Sequence, residues 1–271
     1  MQSLLIQDFK LFAPIRLNHK PAFAHLDTGA SGSMLVSTEA EGMEAVESHL
    51  MQGGFGQRQV RLVRIGQLTF LDQEFPGTTA AVIDGAHYFA DVPFPVSMTL
   101  GADILLARPL VLDFKRLWLG FEEGPFDPAL SAFPLDCSAG LPVLTLRAGD
   151  RELQAILDTG AAYSLLNAAH AEALGLDLEP AYQLEGQDPA GGTALVDVHR
   201  LGELSVGDIP LGPCELVALD LSIIEQRLDV RVDFVLGANT LLASSTVWVL
   251  DKAGGYAYVT ARGVNVRARS E

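Results

Sequence analysis

Several features that would point to common classes of protein are scarce in this chain of 271 residues. It has two cysteines, Cys137 and Cys214, which do not form a CxxC pair. Two unpaired thiols in a reducing compartment explain them more simply than a disulfide, although the sequence allows both. Basic residues are outnumbered, with 18 Lys and Arg against 34 Asp and Glu. Because nucleic acids and anionic membranes attract basic surfaces, we expect neither as a partner.

Signals for export, membrane insertion and several catalytic chemistries are also missing. The opening stretch MQSLLIQDFKLFAP has no basic region, no sustained apolar run and no small-residue cleavage site, so we expect a cytoplasmic protein. No apolar run is long enough to span a bilayer. The six histidines show no metal-ligand spacing, and neither GxSxG nor a phosphate-binding loop occurs. We therefore expect no metal and no cofactor.

What the chain does contain is an internal repeat. The pentapeptide LDTGA occurs at residues 26–30 and again at residues 157–161. Farther along, RIGQLTF matches RLGELSV, and LGADILLA matches LGANTLLA. These pairs are all separated by nearly the same distance, so a unit of about 130 residues has been duplicated. A Pro- and Gly-rich stretch at residues 122–140 marks the join, which predicts two domains, 1–127 and 128–271.

Most of each repeat predicts short β-strands, because apolar and polar residues alternate in stretches such as QVRLVRI and ALVDVHRL. Helix signals are few. An Asn start and a Gly stop predict a helix over residues 167–175, and residues 38–50 give a weaker signal. GADILLA and GANTLLA each predict a helix of one or two turns. The expected fold class is all-β, with two lobes related by an approximate two-fold axis.

The doubled LDTGA motif has a chemical interpretation. A symmetric pair of turns can bring Asp27 and Asp158 face to face, and two carboxyl groups in hydrogen-bonding contact share one proton. One carboxyl group can then accept a proton from a water molecule while the other donates one to a carbonyl oxygen. Gly29 and Gly160 would permit the tight turns. Thr28 and Thr159 could hydrogen-bond across the two-fold axis and lock the two loops together, which would fix the separation of the carboxyl groups.

These residues resemble the aspartic peptidases, particularly the retropepsin-like and pepsin-like members. The LDTGA motif and the later TLGADIL and FVLGANTL stretches are similar to the paired motifs of that clan, and the resemblance covers nearly the whole chain twice. It implies two closed β-barrel lobes with the active site between them, a catalytic dyad and a peptide or protein substrate. It also implies that a single chain acts as a covalent pseudo-dimer, so we expect a monomer. The site residues implied are Asp27 and Asp158 as the dyad, supported by Thr28, Gly29, Ala30, Thr159, Gly160 and Ala161.

The resemblance also implies a substrate-binding flap. The Gly-rich stretch MQGGFGQRQV lies where such enzymes place the flap, which assigns this role to Gly53, Gly54, Phe55 and Gly56. The second repeat has a counterpart in LEGQDPAGGTALV, residues 184–196, whose equivalence is open because Pro189 departs from the pattern. Whether one or both loops close over a substrate is equally open.

The residues around the motifs refine the expected chemistry. Ala30 and Ala161 replace the hydroxyl-bearing residue usual in pepsins, so the shared proton should persist to higher pH and give a weakly acidic to near-neutral optimum. His25 is expected to be a buried structural histidine with its hydrogen bonds made. The arginines that follow the first Gly-rich stretch could select acidic substrate residues, although a solvated strand explains them more simply; they are Arg58, Arg61 and Arg64.

Other functions fit the sequence less well but are not excluded by it. A catalytically inactive protein could use the same cleft to bind an extended peptide. A paired-carboxylate glycosidase would also need two acids, but it requires neither matched DTG loops nor a two-fold repeat. The leading hypothesis is an aspartic endopeptidase.

Overall fold

The computed structural model describes residues 2–53, 56–187 and 190–261. The elements of the first repeat are β1 (Gln2–Ser3), β2 (Leu5–Gln7), β3 (Lys10–Leu17), β4 (Lys20–Leu26), β5 (Met34–Val36), β6 (Ala45–Gln52), β7 (Gln57–Arg64), β8 (Gln67–Phe70), β9 (Gln73–Pro76), β10 (Thr79–Ile83), α1 (Gly85–Tyr88), β11 (Val96–Leu100), α2 (Ala102–Leu105), β12 (Leu110–Asp113) and β13 (Trp118–Phe121).

The second repeat follows the same order. Its elements are β14 (Ser131–Pro134), β15 (Val143–Ala148), β16 (Arg151–Leu157), β17 (Ser164–Asn167), α3 (Ala168–Leu174), β18 (Leu178–Gln187), β19 (Thr193–Val206), β20 (Ile209–Leu219), α4 (Ser222–Leu228), β21 (Phe234–Leu236), α5 (Ala238–Ser244), β22 (Val247–Asp251) and β23 (Tyr256–Thr260).

Each repeat builds one lobe around its own sheet. In the C-terminal lobe the strands are ordered β15-β16-β21-β17-β20-β19-β18, and pairing of Arg147 on β15 with Ser205 on β19 closes six of them into a barrel. In the N-terminal lobe the order is β6-β7-β10-β5-β11-β4-β3-β8-β9, with β2 also on β3. The pairing of β3 with β8 is the equivalent closure, because β8 continues β7 after a two-residue break.

A third, six-stranded sheet joins the two lobes. Its order is β1-β13-β12-β22-β23-β14, so each repeat contributes three strands. The central pair is antiparallel and runs from Leu110 opposite Leu250 to Asp113 opposite Val247. The approximate two-fold axis therefore passes between β12 and β22.

Alternation of side chains explains why these segments are strands. Along β3, the side chains of Leu11, Ala13, Ile15 and Leu17 are buried in the main core. Successive side chains of a strand point to opposite faces, so this period-two pattern places one face inside the lobe. The same rule forms the core of the second lobe, and the predicted two-lobed, all-β fold class is confirmed.

The helix predictions are only partly correct. Helix α3 begins after Asn167, whose side chain accepts a hydrogen bond from the Ala169 N–H at 3.2 Å, and it ends at Gly175, which has a φ of 58°. The predicted helix over residues 38–50 is wrong. Residues 45–52 form strand β6, because pairing with β7 satisfies their backbone groups and Gly42, at a φ of 75°, breaks any preceding helical turn.

Two further sequence expectations concern the cysteines and membranes. Both Cys137 and Cys214 are free thiols in the structure. Within residues 2–53, 56–187 and 190–261, none of the helices has the length and apolar character needed to cross a bilayer.

Candidate active site

The two aspartates occupy equivalent loops at the centre of the molecule. Asp27 directly follows β4 and opens the first aspartate loop, residues 27–33; Asp158 directly follows β16 and opens the second aspartate loop, residues 158–164. The Asp27 N–H donates to the Leu100 carbonyl and the Asp158 N–H donates to the Leu236 carbonyl, each at 3.0 Å. Each aspartate is thus fixed at the end of a parallel strand pair, β4–β11 or β16–β21.

Four reciprocal hydrogen bonds join the two loops through their threonines. The Thr28 hydroxyl donates to the Leu157 carbonyl at 2.6 Å and accepts from the Thr159 N–H at 3.0 Å. The Thr159 hydroxyl donates to the Leu26 carbonyl at 2.9 Å and accepts from the Thr28 N–H at 3.1 Å. Both threonines are buried, so these bonds are sheltered from water and hold the loops at a fixed separation.

The carboxyl groups face each other across the axis. A Cβ atom on Gly29 would overlap the carboxyl carbon of Asp158, and one on Gly160 would overlap that of Asp27. Each carboxyl group therefore lies directly over the glycine of the opposite loop, and the two carboxyl groups hydrogen-bond each other. The structure brings together all of the dyad and loop residues singled out in the sequence.

Burial raises the pKa of both carboxyl groups, and backbone N–H groups oppose the rise at both. Burial raises the pKa of Asp27 well above its usual range, and the charge of Asp158 and the hydrogen bond to it add to this effect. Burial also raises the pKa of Asp158, but its Oδ1 accepts the N–H groups of Gly160 at 2.8 Å and Ala161 at 3.1 Å, which oppose the rise. The two carboxyl groups are therefore expected to hold one proton between them and to titrate as a unit.

Two serines that the sequence analysis missed support the loops. Ser33 and Ser164 each stand six positions after the aspartate of their loop. The Ser33 hydroxyl accepts the Gly101 N–H at 3.1 Å, and the Ser164 hydroxyl accepts the Gly237 N–H at 3.0 Å. The signal was present, because the repeat extends from DTGA to DTGAxxS in both halves.

A second strand crosses behind each loop at close range. A Cβ atom on Gly101 would overlap the backbone of Gly32, and one on Gly237 would overlap the backbone of Tyr163. The following residues continue the contact, since the N–H groups after Gly101 and Gly237 donate to the carbonyls of Ala30 and Ala161 at 2.7 and 2.8 Å. The glycines of the two later motifs are thus required by this close approach.

Two β-hairpins extend toward each other. The first hairpin is β6–β7, where Gly53 donates its N–H to the Gly56 carbonyl at 2.7 Å; Gly54 and Phe55 lie outside the described residues. The second hairpin is β18–β19, so the described residues between 184 and 196 belong to the same kind of element as the first Gly-rich stretch; Asp188 and Pro189 lie outside the described residues. A Cβ atom on Gly56 would lie 3.8 Å from the Cα of Gly192, so the tips of the hairpins are in contact.

His25 is buried, as expected, but its hydrogen bonds are not made. Neither ring nitrogen has a hydrogen-bond partner among the described residues, and the ring packs against Phe12, Tyr88 and Phe89. Burial, together with the charge of Lys10, lowers the pKa of His25 to about 3. The imidazole is therefore neutral and has a structural environment rather than a ligand-binding one.

The three arginines of β7 have different surroundings. Arg61 donates to the carbonyls of Met43 and Ala40 at 2.8 and 3.0 Å, so it fixes the turn before β6. Arg58 and Arg64 are exposed at opposite ends of the strand. Among the described residues, no group of three or more His, Cys, Asp and Glu side chains is arranged to hold a metal ion.

Comparison with known proteins agrees with this geometry. The family model for aspartyl proteases matches residues 13–106 and, separately, residues 144–240, which together make up more than half of the chain. Each match includes one LDTGA motif and one of the later glycine motifs. No curated protein matches the chain. The chain therefore belongs to the aspartyl protease family, with both lobes of the peptidase in a single polypeptide.

Proposed function

We propose that the protein is an aspartic endopeptidase in which Asp27 and Asp158 activate a water molecule. The observation that supports this most strongly is the placement of two carboxyl groups that hydrogen-bond each other, each over the glycine of the opposite loop. We assign the ionised role to Asp158, whose carboxylate accepts a proton from the water while the water oxygen bonds to the scissile carbonyl carbon. Protonated Asp27 donates its proton to the carbonyl oxygen.

The products of this step determine the next one. A neutral tetrahedral diol forms, Asp158 holds a proton and Asp27 is ionised. Asp27 then takes back a hydroxyl proton and the proton on Asp158 goes to the amide nitrogen, so that the C–N bond breaks to give a carboxylic acid and an amine. Neither a metal ion nor a covalent intermediate is needed for this balance. The dyad returns to its starting state.

The shape of the site favours an extended peptide over other substrates. Strand β6 and the hairpin tips provide backbone groups to which an extended chain can add, as in other strand-addition complexes. In this proposal Gly53, Gly54, Phe55 and Gly56 close over the substrate, and the second hairpin closes with them. Glycosidases separate their two carboxyl groups by about 5 Å or more, whereas those of Asp27 and Asp158 hydrogen-bond each other.

The same geometry leads us to propose a weakly acidic to near-neutral pH optimum. Activity requires one proton on the pair, and burial extends this singly protonated state to higher pH by raising both pKa values. Neither Ala30 nor Ala161 offers a hydroxyl group that would stabilise the ionised form. Such an optimum suits the proposed cytoplasmic monomer, and a profile that peaks below about pH 3 would contradict it.

Cleavage of a peptide mixture by the wild type and by two variants tests the proposal. Asp27→Asn and Asp158→Asn should each lower kcat/KM by at least about a thousandfold, since either change removes one proton-transfer group. Thermal unfolding of each variant shows whether the fold is kept. If both folded variants still cleave, the dyad mechanism is wrong. If the wild type binds extended peptides without cutting them, the protein is an inactive peptide-binding member of the family.

A further inference from the structure

The face that each hairpin turns toward the aspartates follows from its register. Residues directly opposite each other in an antiparallel pair point to the same side. Met51 and Val60 belong to a cluster of apolar side chains that includes Ala30 of the first aspartate loop. The inner face of the first hairpin is therefore the one that carries Glu47, His49, Met51, Arg58, Val60 and Leu62.

The inner face of the second hairpin has a different composition. Leu184, Val196 and Val198 cluster with Tyr163 of the second aspartate loop, which identifies the side turned toward the aspartates. The residues on that side are Tyr182, Leu184, Gly186, Ala194, Val196 and Val198. None of these six side chains carries a charge at neutral pH.

The repeat shows which residues replace one another on the two inner faces. His49 pairs with Val60, and Leu184 pairs with the equivalent Val196. In the same way, Arg58 and Ala194 occupy equivalent positions. His49 and Arg58 are diagonal neighbours in the first hairpin, where Cβ atoms lie about 7 Å apart or less. Two basic side chains on one face thus stand where the other face has Leu and Ala.

A third basic side chain reaches the same place from the opposite lobe. Arg227 lies on α4, and its Nη2 is 3.2 Å from Nε2 of His49. Among the described residues, His49, Arg58 and Arg227 form no ion pair with an acidic side chain. Two carboxylates lie near these basic side chains. Glu47 is on the same inner face as His49, and Glu225 of α4 accepts a hydrogen bond from the Val232 N–H at 2.8 Å.

From this juxtaposition we infer that the half of the cleft under the first hairpin selects an acidic substrate side chain, while the half under the second hairpin takes an apolar one. The inference rests on the proposed function. Guanidinium groups bind carboxylates through paired, charge-assisted hydrogen bonds, and both Arg58 and Arg227 are exposed and able to do so. Because the two aspartate loops at the floor of the cleft are nearly two-fold symmetric, this charge difference fixes the direction in which an extended substrate lies.

Matched peptides test the inference directly. Peptides that differ only by Asp or Glu against Asn or Gln, placed at each position within three residues of the cut, are compared by kcat/KM. The wild type should prefer the acidic peptide about tenfold at a position on one side of the cut only. Arg58→Gln and Arg227→Gln should each reduce the preference to about threefold, and the double variant should abolish it. Arg64→Gln is the control, since it removes the same charge about 20 Å farther along β7 and should leave the preference intact.

The possible outcomes separate this inference from the proposed function. Cleavage without an acidic preference, or with a preference that survives in the double variant, overturns the inference and leaves the peptidase intact. If no peptide is cut at all, the same peptides are titrated against Asp27→Asn protein by fluorescence anisotropy. Tighter binding of the acidic peptide that is lost on adding Arg227→Gln then supports the inference although the peptidase proposal has failed. Equal binding of the two peptides overturns it.

Discussion

At the two-fold axis the lobes are nearly identical, and away from it they differ widely. Thr28 and Thr159 make the same pair of hydrogen bonds to each other's loop, and the glycines of both loops meet the opposite carboxyl group. Each of these residues has the other copy of the repeat as its partner. A change in one copy would therefore break a contact in both, which explains why the duplicated sequences match best where they touch.

Several positions that contact only their own lobe have diverged. The buried His25 of the first lobe is replaced by the equivalent Ile156 in the second, which packs in the apolar core. Glu39 accepts a hydrogen bond from Ser97 at 3.0 Å, whereas the equivalent residues of the second lobe, His170 and Asp233, hydrogen-bond each other at 2.8 Å. Residues at the axis are therefore constrained in pairs, because each contacts the other repeat, whereas these interior residues of the two lobes can change independently.

Among variants that keep both aspartates, the largest effects should come from the glycines at the axis. Gly29→Ala and Gly160→Ala each place a methyl group on the opposite carboxyl group, so each should lower kcat/KM by about a hundredfold or more through displacement of the dyad. Gly32→Ala is the matched control, because nothing lies within 4 Å of its added Cβ atom. It should stay within about twofold of the wild type. If Gly29→Ala keeps wild-type activity, the close packing of each glycine against the opposite carboxyl group does not hold the dyad in place.

The threonine pair tests whether the axis is symmetric in energy. Thr28→Val and Thr159→Val each remove two buried hydrogen bonds and leave their partners unsatisfied, so each should lower the free energy of unfolding by about 3 kcal/mol. Urea denaturation measures both, and the two values should agree. The corresponding Thr→Ser variants retain the hydroxyl group and should recover most of the loss. Unequal values for the two valine variants would show that the lobes do not share the junction evenly.

His25 should make the first lobe the acid-sensitive one. Its pKa is about 3 in the folded protein and about 6.5 when unfolded, so the unfolded chain binds a proton first as the pH falls. This lowers the free energy of unfolding between about pH 6.5 and pH 3, by about 3 kcal/mol at pH 4. His25→Ile copies the second lobe and should remove this slope in urea titrations, whereas His49→Gln, at an exposed histidine, should not. An unchanged slope in His25→Ile would assign the acid sensitivity elsewhere.

The smallest effects should come from the diverged pair. The buried carboxylate of Asp233 contacts His170 and Arg231 and accepts the Gln154 N–H. Asp233→Asn replaces this carboxylate by a neutral amide, so it should lower the free energy of unfolding by about 2 kcal/mol. Ser97→Ala, at the equivalent position, loses one hydrogen bond and should cost about 1 kcal/mol. Thermal unfolding of both variants compares them. If Ser97→Ala instead costs more than Asp233→Asn, the contacts of Asp233 stabilise the second lobe less than the Ser97–Glu39 hydrogen bond stabilises the first.

The sequence predicts the fold class and the dyad because a repeat reports symmetry directly. Two LDTGA motifs, each at the end of a predicted strand, are enough to predict that the two aspartates lie about one axis. Short capped segments such as α3 are equally visible, since Asn167 and Gly175 act locally. The helix expected over residues 38–50 fails because hairpin pairing, a long-range effect, outweighs local helix propensity.

Other features of the site depend on contacts that a single sequence does not contain. The unpaired ring of His25 results from aromatic side chains that lie far apart in the sequence, Phe12 on β3 and Tyr88 and Phe89 at the end of α1. The meeting of His49 with Arg227 joins residues of different lobes. Backbone N–H groups donate to the carboxyl group of Asp158, and their direction is set by the turn rather than by residue type.

The sheet that both repeats share has a consequence for assembly. The apolar strands β12 and β22 pair with each other at the centre of this sheet. A chain divided after residue 127 would therefore leave each fragment with an unpaired apolar edge strand, which favours aggregation. Tethering guarantees one lobe of each kind per molecule and prevents association of like with like. A single chain also allows the two hairpins over the cleft to differ, whereas in a homodimer both hairpins would have the same sequence.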